Sequence, residues 1–296
     1  MRSPPPPKDA TPAFLPRTLV VTGATSGIGL AAAAALRPRV ETLVLVGRDP
    51  EKLDRVERTL RASAGSGAVR CYLADLSRLA DVRRLAADLA RDHASIDVLL
   101  NNAGAYFARR EVTDEGIERT LALNVLQPYL LTRLLRTSLR AAGRARVVNV
   151  ASAAHRGAGP HLEDFDRRAR YAGFRVYGRS KLELILLTHE FARRWAEDRI
   201  DVNALHPGLV RTAFGRNNGG AVGAGLRLAT ALFGISPRNG ARTAVHLATS
   251  PAVEGLTGEY FVRCRAVRSS RASYDEAAAR TLWDLCSERV GLPASE

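Results

Sequence analysis

Short apolar runs rich in β-branched residues alternate along the chain with longer segments of helical periodicity. Helical patterns cover residues 77–93 and 113–143, among others. The seven apolar runs lie at 18–23, 41–48, 68–75, 96–104, 145–152, 201–208 and 258–264. Strands this apolar, separated by helices, are typical of a parallel sheet that is covered on both faces. The pattern therefore predicts a single doubly wound α/β domain with a mostly parallel seven-stranded sheet and helices on both faces.

The length and composition are compatible with one large domain. The chain has 296 residues, of which 46% are hydrophobic, and this is enough to bury one substantial core. Residues 1–16 are rich in proline and lack the apolar core of a signal peptide, so we expect a disordered tail there and a folded domain over 17–291. No stretch of about 18 apolar residues occurs, which predicts that the chain has no transmembrane segment.

The positive charge does not indicate a nucleic-acid binder. The formal net charge is +14, but the arginines are spread over every segment and no basic run is interleaved with aromatic residues. We therefore expect no nucleic acid among the partners, whereas a cofactor with several phosphates would benefit from the charge. The cysteines at 71, 264 and 286 form no C-x-x-C pair, which argues against a disulfide framework or a zinc site. Their spacing favours a reducing environment, and we expect the protein to be cytoplasmic.

Polar residues and glycines follow the predicted strands at their carboxyl ends. Such positions include Gly23, Arg48, Asp75, Ser152 and the segment 101–104. Doubly wound sheets bind their ligands outside the carboxyl ends of the strands. We therefore predict a ligand site at this edge of the sheet.

A glycine-rich turn joins the first predicted strand to the first helix. The segment VVTGATSGIGLAAAAALRP carries Gly23, Gly27 and Gly29 in the spacing T-G-x-x-x-G-x-G, which differs from the commoner G-x-G-x-x-G. Glycines here permit a tight turn, let backbone amides approach a pyrophosphate and allow the helix to pack closely on its strand. In this position the turn predicts a dinucleotide-binding (Rossmann) site, although similar turns occur in loops without that function.

A tyrosine and a lysine lie four residues apart in the segment YGRSKLELILLTHEF, which begins at Tyr177. Only three of the 44 basic residues are lysines, so the presence of Lys181 calls for an explanation. Residues four apart share a helical face, and an adjacent ammonium favours a phenolate, so we expect a lowered pKa for Tyr177. That would suit Tyr177 as a general acid or base. The alternative is a surface helix that carries both residues by chance.

Four motifs in this order resemble the short-chain dehydrogenase/reductase family. They are T-G-x-x-x-G-x-G near the start, N-N-A-G after the fourth strand, a serine after the fifth and Y-x-x-x-K on the next helix, and the resemblance covers about residues 17–265. Within the family, VVNVASAAHRG, YGRSKLELILLTHEFARR and ARTLWDLCSERVGLP are similar to the retinol dehydrogenase-like branch. The resemblance implies an NAD(P)-dependent oxidoreductase that interconverts an alcohol and an aldehyde or ketone.

The resemblance also implies four catalytic residues, Asn124, Ser152, Tyr177 and Lys181. Tyr177 would exchange a proton with the substrate oxygen, Lys181 would hold the nicotinamide ribose, and Ser152 would polarise the substrate oxygen. Asn124 would kink its helix and hold a water in a proton relay. The alternatives are an ordinary turn serine at 152 and a solvent-facing side chain at 124.

The implied cofactor-binding residues lie on the glycine turn, at the strand ends and on the helix of Tyr177. Asp75 would accept a hydrogen bond from the adenine amine, and Pro207 and Gly208 would lie under the nicotinamide, with Thr212 near its carboxamide. The full set is Gly23, Thr25, Ser26, Gly27, Ile28, Gly29, Arg48, Asp75, Leu76, Asn102, Ala103, Gly104, Tyr177, Lys181, Pro207, Gly208, Val210 and Thr212.

A substrate lid and two histidines complete the expected site. Residues 209–235 match the position of the family's lid, and the apolar residues of 214–235 suggest an apolar substrate; a partner surface or a membrane contact is the alternative. His206 lies at the end of a buried strand, which favours a packed polar residue over a catalytic base. His155 is expected in a loop at the mouth of the pocket, with substrate contact as the less favoured role.

The tip of the second predicted strand, LVLVGRDPEKL, bears on which nicotinamide cofactor is used. An NAD-type site places a carboxylate there, and Asp49 lies near the required position. Because Pro50 follows it, Asp49 is better interpreted as the N-cap of the next helix. Gly47 then leaves room for a 2′-phosphate and Arg48 supplies a guanidinium, which predicts NADP(H) in preference to NAD(H).

Other functions fit the pattern less well. A catalytically silent NADP-binding sensor or scaffold is the main alternative, but it would be expected to lack one of the four catalytic residues, and all four are present. A hydrolase is disfavoured because Ser152 has no nucleophile-elbow context. We expect a small-molecule carbonyl or alcohol as the substrate and a homodimer or homotetramer as the assembly.

Overall fold

Eight strands form one sheet in the residues that the computed structural model describes, which are 14–63, 65–210 and 234–295. The strands are β1 Thr18–Thr22, β2 Thr42–Gly47, β3 Ala68–Leu73, β4 Val98–Asn101, β5 Ala145–Val150, β6 Ile200–His206, β7 Tyr260–Val262 and β8 Arg265–Ala266. Their order across the sheet is β3-β2-β1-β4-β5-β6-β7-β8. Strands β1 to β7 are all parallel, which confirms the predicted doubly wound architecture.

Strand β8 is an addition to the seven predicted strands. It pairs antiparallel with β7, so that Phe261 lies opposite Ala266. The chain reverses at Arg263 and Cys264, whose φ values of 51° and 63° are in the left-handed region. Two-residue hairpins need this conformation and usually obtain it from pairs such as Asn-Gly, so the Arg-Cys pair carried no recognisable turn signal.

Helices cover both faces of the sheet, as the alternation of segments predicts. They are α1 Gly27–Leu36, α2 Pro50–Arg61, α3 Leu79–Asp92, α4 Arg119–Leu121, α5 Gln127–Leu134, α6 Arg136–Ala141, α7 Gly173–Arg194, α8 Pro237–Thr249 and α9 Glu276–Val290. Residues of α1, α2 and α8 pack on one face of the sheet, and residues of α3, α5, α7 and α9 pack on the other. None of the helices in the described ranges is long and apolar enough to cross a membrane.

The long helix predicted over 113–143 is interrupted at Asn124. Its first turn, α4, leads into a π-helical turn at Ala122–Leu126, and α5 continues from there. Pro128 lacks an N–H and therefore cannot donate the α-helical hydrogen bond to the carbonyl of residue 124. A π turn accommodates this break because it inserts one extra residue into the helix. The predicted kink at Asn124 is thus confirmed.

A row of buried polar side chains crosses the centre of the sheet. Asn101 of β4 donates from Nδ2 to the Asn149 Oδ1 of β5 and to the Thr132 hydroxyl of α5, each at 3.0 Å. Asn149 in turn donates to the Thr188 hydroxyl of α7 at 2.9 Å. All four side chains are buried. Burying a polar group costs free energy unless it is hydrogen-bonded. These bonds therefore hold β4, β5 and two helices in one arrangement.

The described chain contacts the domain from its first residue. Phe14 packs beneath the buried guanidinium of Arg146, with 4.1 Å between the guanidinium carbon and the ring centroid. Arg146 also donates to the carbonyls of Leu247 and Ser250. Contacts with the fold therefore begin before residue 17, the predicted start of the domain.

We expect Asn149→Ala to lower the free energy of unfolding by about 1–3 kcal/mol, because the change removes two buried hydrogen bonds and leaves a buried partner unpaired. Denaturant unfolding followed by circular dichroism measures the difference. Asn239→Ala is the matched control, because Asn239 is exposed. Equal stabilities for the two variants would contradict a structural role for the buried row.

Candidate active site

Asn124, Ser152, Tyr177 and Lys181 come together at the carboxyl ends of β4 and β5. Ser152 follows β5, Asn124 lies in the π turn, and Tyr177 and Lys181 lie on α7. α7 packs tightly on the turn after β5, since a Cβ added at Gly178 would lie only 2.7 Å from a carbonyl oxygen of that turn. The fold therefore assembles one site from three separate segments.

Tyr177 is a buried phenol that lies beside the side chain of Ser152. Its ring meets the ring of Tyr106 edge to face, with 6.2 Å between the centroids. Burial raises the pKa of Tyr177 to about 12, and the polar side chain of Ser152 opposes this rise only in part. Tyr177 is therefore protonated at neutral pH and can donate a proton.

Lys181 is buried, with 4% of its surface exposed. Its Nζ donates to the carbonyl of Val150 at 2.9 Å and lies 5.8 Å from the centroid of the Tyr177 ring. Burial lowers the pKa of Lys181 to about 8. The expected lowering of the Tyr177 pKa by Lys181 is wrong for this structure, because the cost of burying a phenolate outweighs the attraction of the ammonium.

The Asn124 side chain is held on three sides and is 1% exposed, so a solvent-facing position is wrong. Its Oδ1 accepts from the N–H of Ala105 at 3.0 Å, and its Nδ2 donates to the Ala105 carbonyl at 2.9 Å. Nδ2 also donates to the Ser180 hydroxyl at 3.0 Å, which donates in turn to the Tyr177 carbonyl at 2.7 Å. Ser180, which the sequence motifs did not single out, thus links Asn124 to the backbone of α7.

The N-N-A-G segment joins the glycine turn to this cluster. Asn102 donates from Nδ2 to the Thr22 carbonyl at 2.8 Å, and its N–H donates to the Thr22 hydroxyl at 2.9 Å. The N–H of Ala103 donates to the same hydroxyl at 3.0 Å. A Cβ added at Gly104 would lie 3.2 Å from the Lys181 Nζ. The segment therefore fastens β4 to β1, and its glycine leaves the space that the lysine needs.

The glycine turn has the geometry that a pyrophosphate requires. Gly23 and Gly27 have φ values of 64° and 56°, which turn the chain sharply from β1 into α1. A Cβ added at Gly29 would overlap the Gly23 carbonyl oxygen, so only glycine allows this approach. In the described residues, the Ser26 side chain makes no capping hydrogen bond to α1. The first amides of the helix are thus left for an anion, and the turn fits the phosphates of a dinucleotide.

At the tip of β2, Asp49 has the capping role that the order Asp-Pro predicts. Asp49 caps α2, since its carboxylate accepts from the Lys52 N–H at 3.0 Å and from the Lys52 Nζ at 2.5 Å. A Cβ added at Gly47 would lie 2.7 Å from the Thr25 Cγ2, so Gly47 lies directly against the glycine turn. Arg48 is exposed and, within the described part of the chain, its side chain makes no hydrogen bond or ion pair.

The predicted adenine-side residues lie in the turn after β3. Asp75 is half-buried, and its Oδ1 accepts from the Ser77 N–H at 3.0 Å and from the Ser77 hydroxyl at 2.7 Å. Leu76 between them is buried. One carboxylate oxygen of Asp75 therefore shapes the turn, and its contact with adenine stays a prediction.

The predicted nicotinamide-side residues follow β6. Pro207 and Gly208 are half-buried, and Gly208 has a φ of 92°. The N–H of Ile235 donates to the carbonyl of Leu209 at 2.7 Å. The chain thus leaves the sheet at Gly208, and at Ile235 it again lies beside Leu209.

Val210 and Ile28 both lie beside Gly240 of α8, which brings the chain after β6 against the start of α1. Thr212 lies outside the described residues. So do residues 214–233, which include most of the predicted lid.

Two histidines lie behind Ser152. His206 accepts a hydrogen bond at Nδ1 from the Ala153 N–H at 3.2 Å, and burial lowers its pKa to about 4. This contact agrees with the expected packed polar residue. His155 has no exposed surface, so its expected place at the mouth of the pocket is wrong.

A buried ion cluster behind the site was missed by the sequence analysis. Arg167 pairs with Glu183 of α7 and lies 3.5 Å from Glu118, whose carboxylate caps α4. Arg179 also pairs with Glu183 at 2.9 Å. The cluster therefore connects α4 to α7. Arg167 lies in the arginine-rich run DRRAR, where no local pattern distinguishes it from its exposed neighbours.

Comparisons with known proteins place this chain in one family. A family model described as short chain dehydrogenase matches residues 17–222. Human retinol dehydrogenase 14 is 35% identical over 292 residues, which cover 93% of this chain and 87% of that protein. DnrU of Streptomyces sp. (strain C5), which its name assigns provisionally as a daunorubicin C-13 ketoreductase, is 38% identical over 295 residues, with 97% and 98% covered.

A solved structure gives the same result. The short-chain dehydrogenase from Sphingobium yanoikuyae in complex with NADPH superposes with a TM-score of 0.62 at 29% identity, covering 77% of this chain and 82% of that one. The chain therefore belongs to the short chain dehydrogenase family, in its retinol dehydrogenase-like branch, and is an oxidoreductase.

We expect Lys181→Met to change how stability depends on pH. The pKa of Lys181 is about 8 in the fold, below its ordinary value of 10.5, so the unfolded chain binds more protons between these values and the wild type gains stability as the pH rises. The methionine variant lacks this gain. Its stability relative to the wild type should therefore fall by roughly 2 kcal/mol between pH 7 and pH 10. Denaturant unfolding at both pH values measures this, and Lys52→Met is the exposed control.

Proposed function

We propose that the protein is an NADP(H)-dependent oxidoreductase that interconverts an alcohol and an aldehyde or ketone on an apolar skeleton. The observation that carries the proposal is the placement of Ser152, the buried Tyr177 phenol and the buried Lys181 side by side, with 5.8 Å between the Lys181 Nζ and the centroid of the Tyr177 ring. A nicotinamide bound at the glycine turn supplies or accepts the hydride.

Tyr177 acts as the general acid in carbonyl reduction. Its phenol gives a proton to the substrate oxygen as hydride reaches the carbonyl carbon, and in alcohol oxidation the proton returns by the same route. The raised pKa of about 12 supports the acid role, because the phenol is fully protonated at neutral pH. Ser152 donates a hydrogen bond to the same oxygen and stabilises the negative charge that develops there.

Lys181 and Asn124 act beside this proton transfer. The Lys181 ammonium lies close to the phenol and, with a pKa near 8, is charged at neutral pH. Its charge and its hydrogen bonds suit the ribose hydroxyls of the cofactor. Asn124 holds the backbone of Ala105, and through Ser180 it also holds the helix of Tyr177. It therefore keeps the proton donor at a fixed distance from the end of the sheet.

An apolar substrate is supported by exposed side chains around the site. Phe174 is 67% exposed and lies one turn before Tyr177 on α7, and Leu209 after β6 is 48% exposed. Exposed apolar side chains beside a polar catalytic group are typical of a site for an apolar ligand. The names of the relatives also support this substrate class, since retinol and daunorubicin each combine a large apolar skeleton with an alcohol or a ketone.

The preference for NADP(H) rests on the tip of β2. Asp49 is occupied as the helix cap, so its carboxylate is not aimed at a ribose hydroxyl, and Arg48 is left exposed at the position that would receive a 2′-phosphate. The bound NADPH of the Sphingobium relative supports this cofactor.

The reducing compartment and the homodimer or homotetramer stay predictions. The three cysteines form no disulfide, which supports a reducing compartment.

Consumption of NADPH across aldehydes, ketones, retinoids, steroids and polyketide-like carbonyls tests the activity. Turnover of at least one apolar carbonyl compound is the expected outcome. Tight binding of NADPH without turnover of any compound would instead favour the silent sensor or scaffold.

We expect Tyr177→Phe to reduce turnover by about 10²- to 10⁴-fold, because the ring remains and only the proton donor is lost. Binding of NADPH, measured by titration calorimetry, should stay unchanged. Tyr72→Phe, at a tyrosine of β3 far from the site, is the control and should keep its activity. A Tyr177→Phe variant that retained more than about a tenth of the rate would rule out the general-acid role.

Arg48→Ala should weaken the preference for NADPH over NADH. A charge-assisted hydrogen bond contributes about 1.5–3 kcal/mol, so the ratio of the two kcat/KM values should fall about ten- to a hundredfold, with little change in the value for NADH. Arg55→Ala removes an equal charge from the exposed side of α2 and should leave the ratio unaltered. Better use of NADH than of NADPH by the wild type would contradict the assignment.

A further inference from the structure

His155 is a buried imidazole that lies between the turn after β5 and the C-terminal segment 268–274. Its Nδ1 lies 2.6 Å from the Ser152 carbonyl oxygen, and its Nε2 lies 3.1 Å from the Ser270 backbone nitrogen. The ring also meets Tyr260 edge to face at 5.0 Å. No part of the side chain is exposed, so it cannot contact a substrate.

The two backbone partners determine the tautomer of His155. A carbonyl oxygen can only accept a hydrogen bond, so the proton must be on Nδ1, which donates to Ser152. A backbone N–H can only donate, so Nε2 must carry the lone pair that accepts from Ser270. Both ring nitrogens are thus satisfied only in the neutral Nδ1–H form. Burial also lowers the pKa of His155, which favours the neutral ring.

The contact with His155 completes the support of the serine backbone. The Ala151 N–H donates to the Leu205 carbonyl at 2.8 Å, as in the ladder between β5 and β6. The Ala153 N–H donates to the Nδ1 of His206 at 3.2 Å. His155 holds the carbonyl of Ser152 between them. Ala151, Ser152 and Ala153, the three residues that follow β5, therefore each have one backbone group held by a hydrogen bond.

Segment 268–274 is itself a firm support for the ring. The hydroxyls of Ser269 and Ser273 hydrogen-bond to each other at 2.6 Å. The ring of Tyr274 packs on His189 of α7, with 5.0 Å between the centroids. The segment is thus attached to the helix that carries the proposed proton donor.

We propose that His155, as the neutral Nδ1–H tautomer, is a positioning residue that holds Ser152 in place against Tyr177, while the Ser270 amide fixes the tautomer. The inference rests on the proposed function, because it assumes that Ser152 acts on the substrate oxygen. His155 itself touches neither substrate nor cofactor.

Two substitutions of His155 distinguish the role of Nδ1 from the role of Nε2. The Nδ2 of asparagine is as many bonds from Cα as the Nδ1 of histidine, so His155→Asn retains a donor for the Ser152 carbonyl. The amide of glutamine lies one bond further out, so His155→Gln can reach Ser270 but lacks the inner donor. We expect kcat for a carbonyl substrate to fall about tenfold in His155→Gln and less than about threefold in His155→Asn, the difference of one neutral hydrogen bond. KM for NADPH should stay the same in both.

A measurement on the unmodified protein does not depend on the folding of any variant. With ¹⁵N-labelled histidine, NMR at pH 7 should show the His155 ring protonated at Nδ1 and not at Nε2. An Nε2–H tautomer or an imidazolium would overturn the proposal.

Three further variants distinguish this proposal from the proposed function. Arg156→Ala is the matched control, because Arg156 is the next residue and donates to the Arg268 carbonyl of the same segment; its kcat should stay within about twofold of the wild type. If Ser152→Ala and Tyr177→Phe abolish turnover but the two His155 variants have equal kcat, the proposed function stands and the role of His155 is refuted. If Ser152→Ala keeps full activity, the serine role itself fails, and the role of His155 fails with it.

Discussion

The hydrogen bond from the Lys181 ammonium to the Val150 carbonyl is the interaction on which the site depends. An ammonium group removed from water is costly unless oxygen atoms replace part of its hydration. Val150 ends β5, so this bond ties α7 to the carboxyl end of the strand. The space for the cation comes from Gly104, since any side chain there would crowd the ammonium. A guanidinium is larger and planar, which explains why an arginine-rich chain retains lysine at this position.

Charged groups along α7 are accommodated in two different ways. Away from the site, Glu183 forms ion pairs with Arg167 and Arg179, so each buried charge has a partner of opposite sign. Towards the site, burial shifts the pKa of Tyr177 upwards and the pKa of Lys181 downwards, so both groups are pushed towards their uncharged forms. The paired charges hold the helix in place, while the Tyr177 phenol keeps a proton that can be transferred.

Local signals predicted much of this molecule, and long-range packing produced the rest. The seven parallel strands and the cap at Asp49 follow from patterns within a few residues, and the kink at Asn124 follows from the resemblance to the family; all three are confirmed. The direction of the Tyr177 pKa shift was wrong because spacing along a helix does not reveal burial. The places of His155 and Arg167 depend on partners far away in the sequence, and neither residue type nor spacing indicates them.

The row of amides and hydroxyls through Asn101 and Asn149 has a consequence for folding. The strands of the central sheet are so alike in their apolar residues that composition alone would allow several pairings. Asn101 lies directly opposite Asn149 in the native register, and a shift of one residue would turn one amide towards the apolar layer on the other face. A sheet with β4 and β5 misaligned in this way would bury amides without partners. The row therefore selects against wrong neighbours as the chain folds, so that the strand ends that carry Ser152 and the N-N-A-G segment are brought side by side.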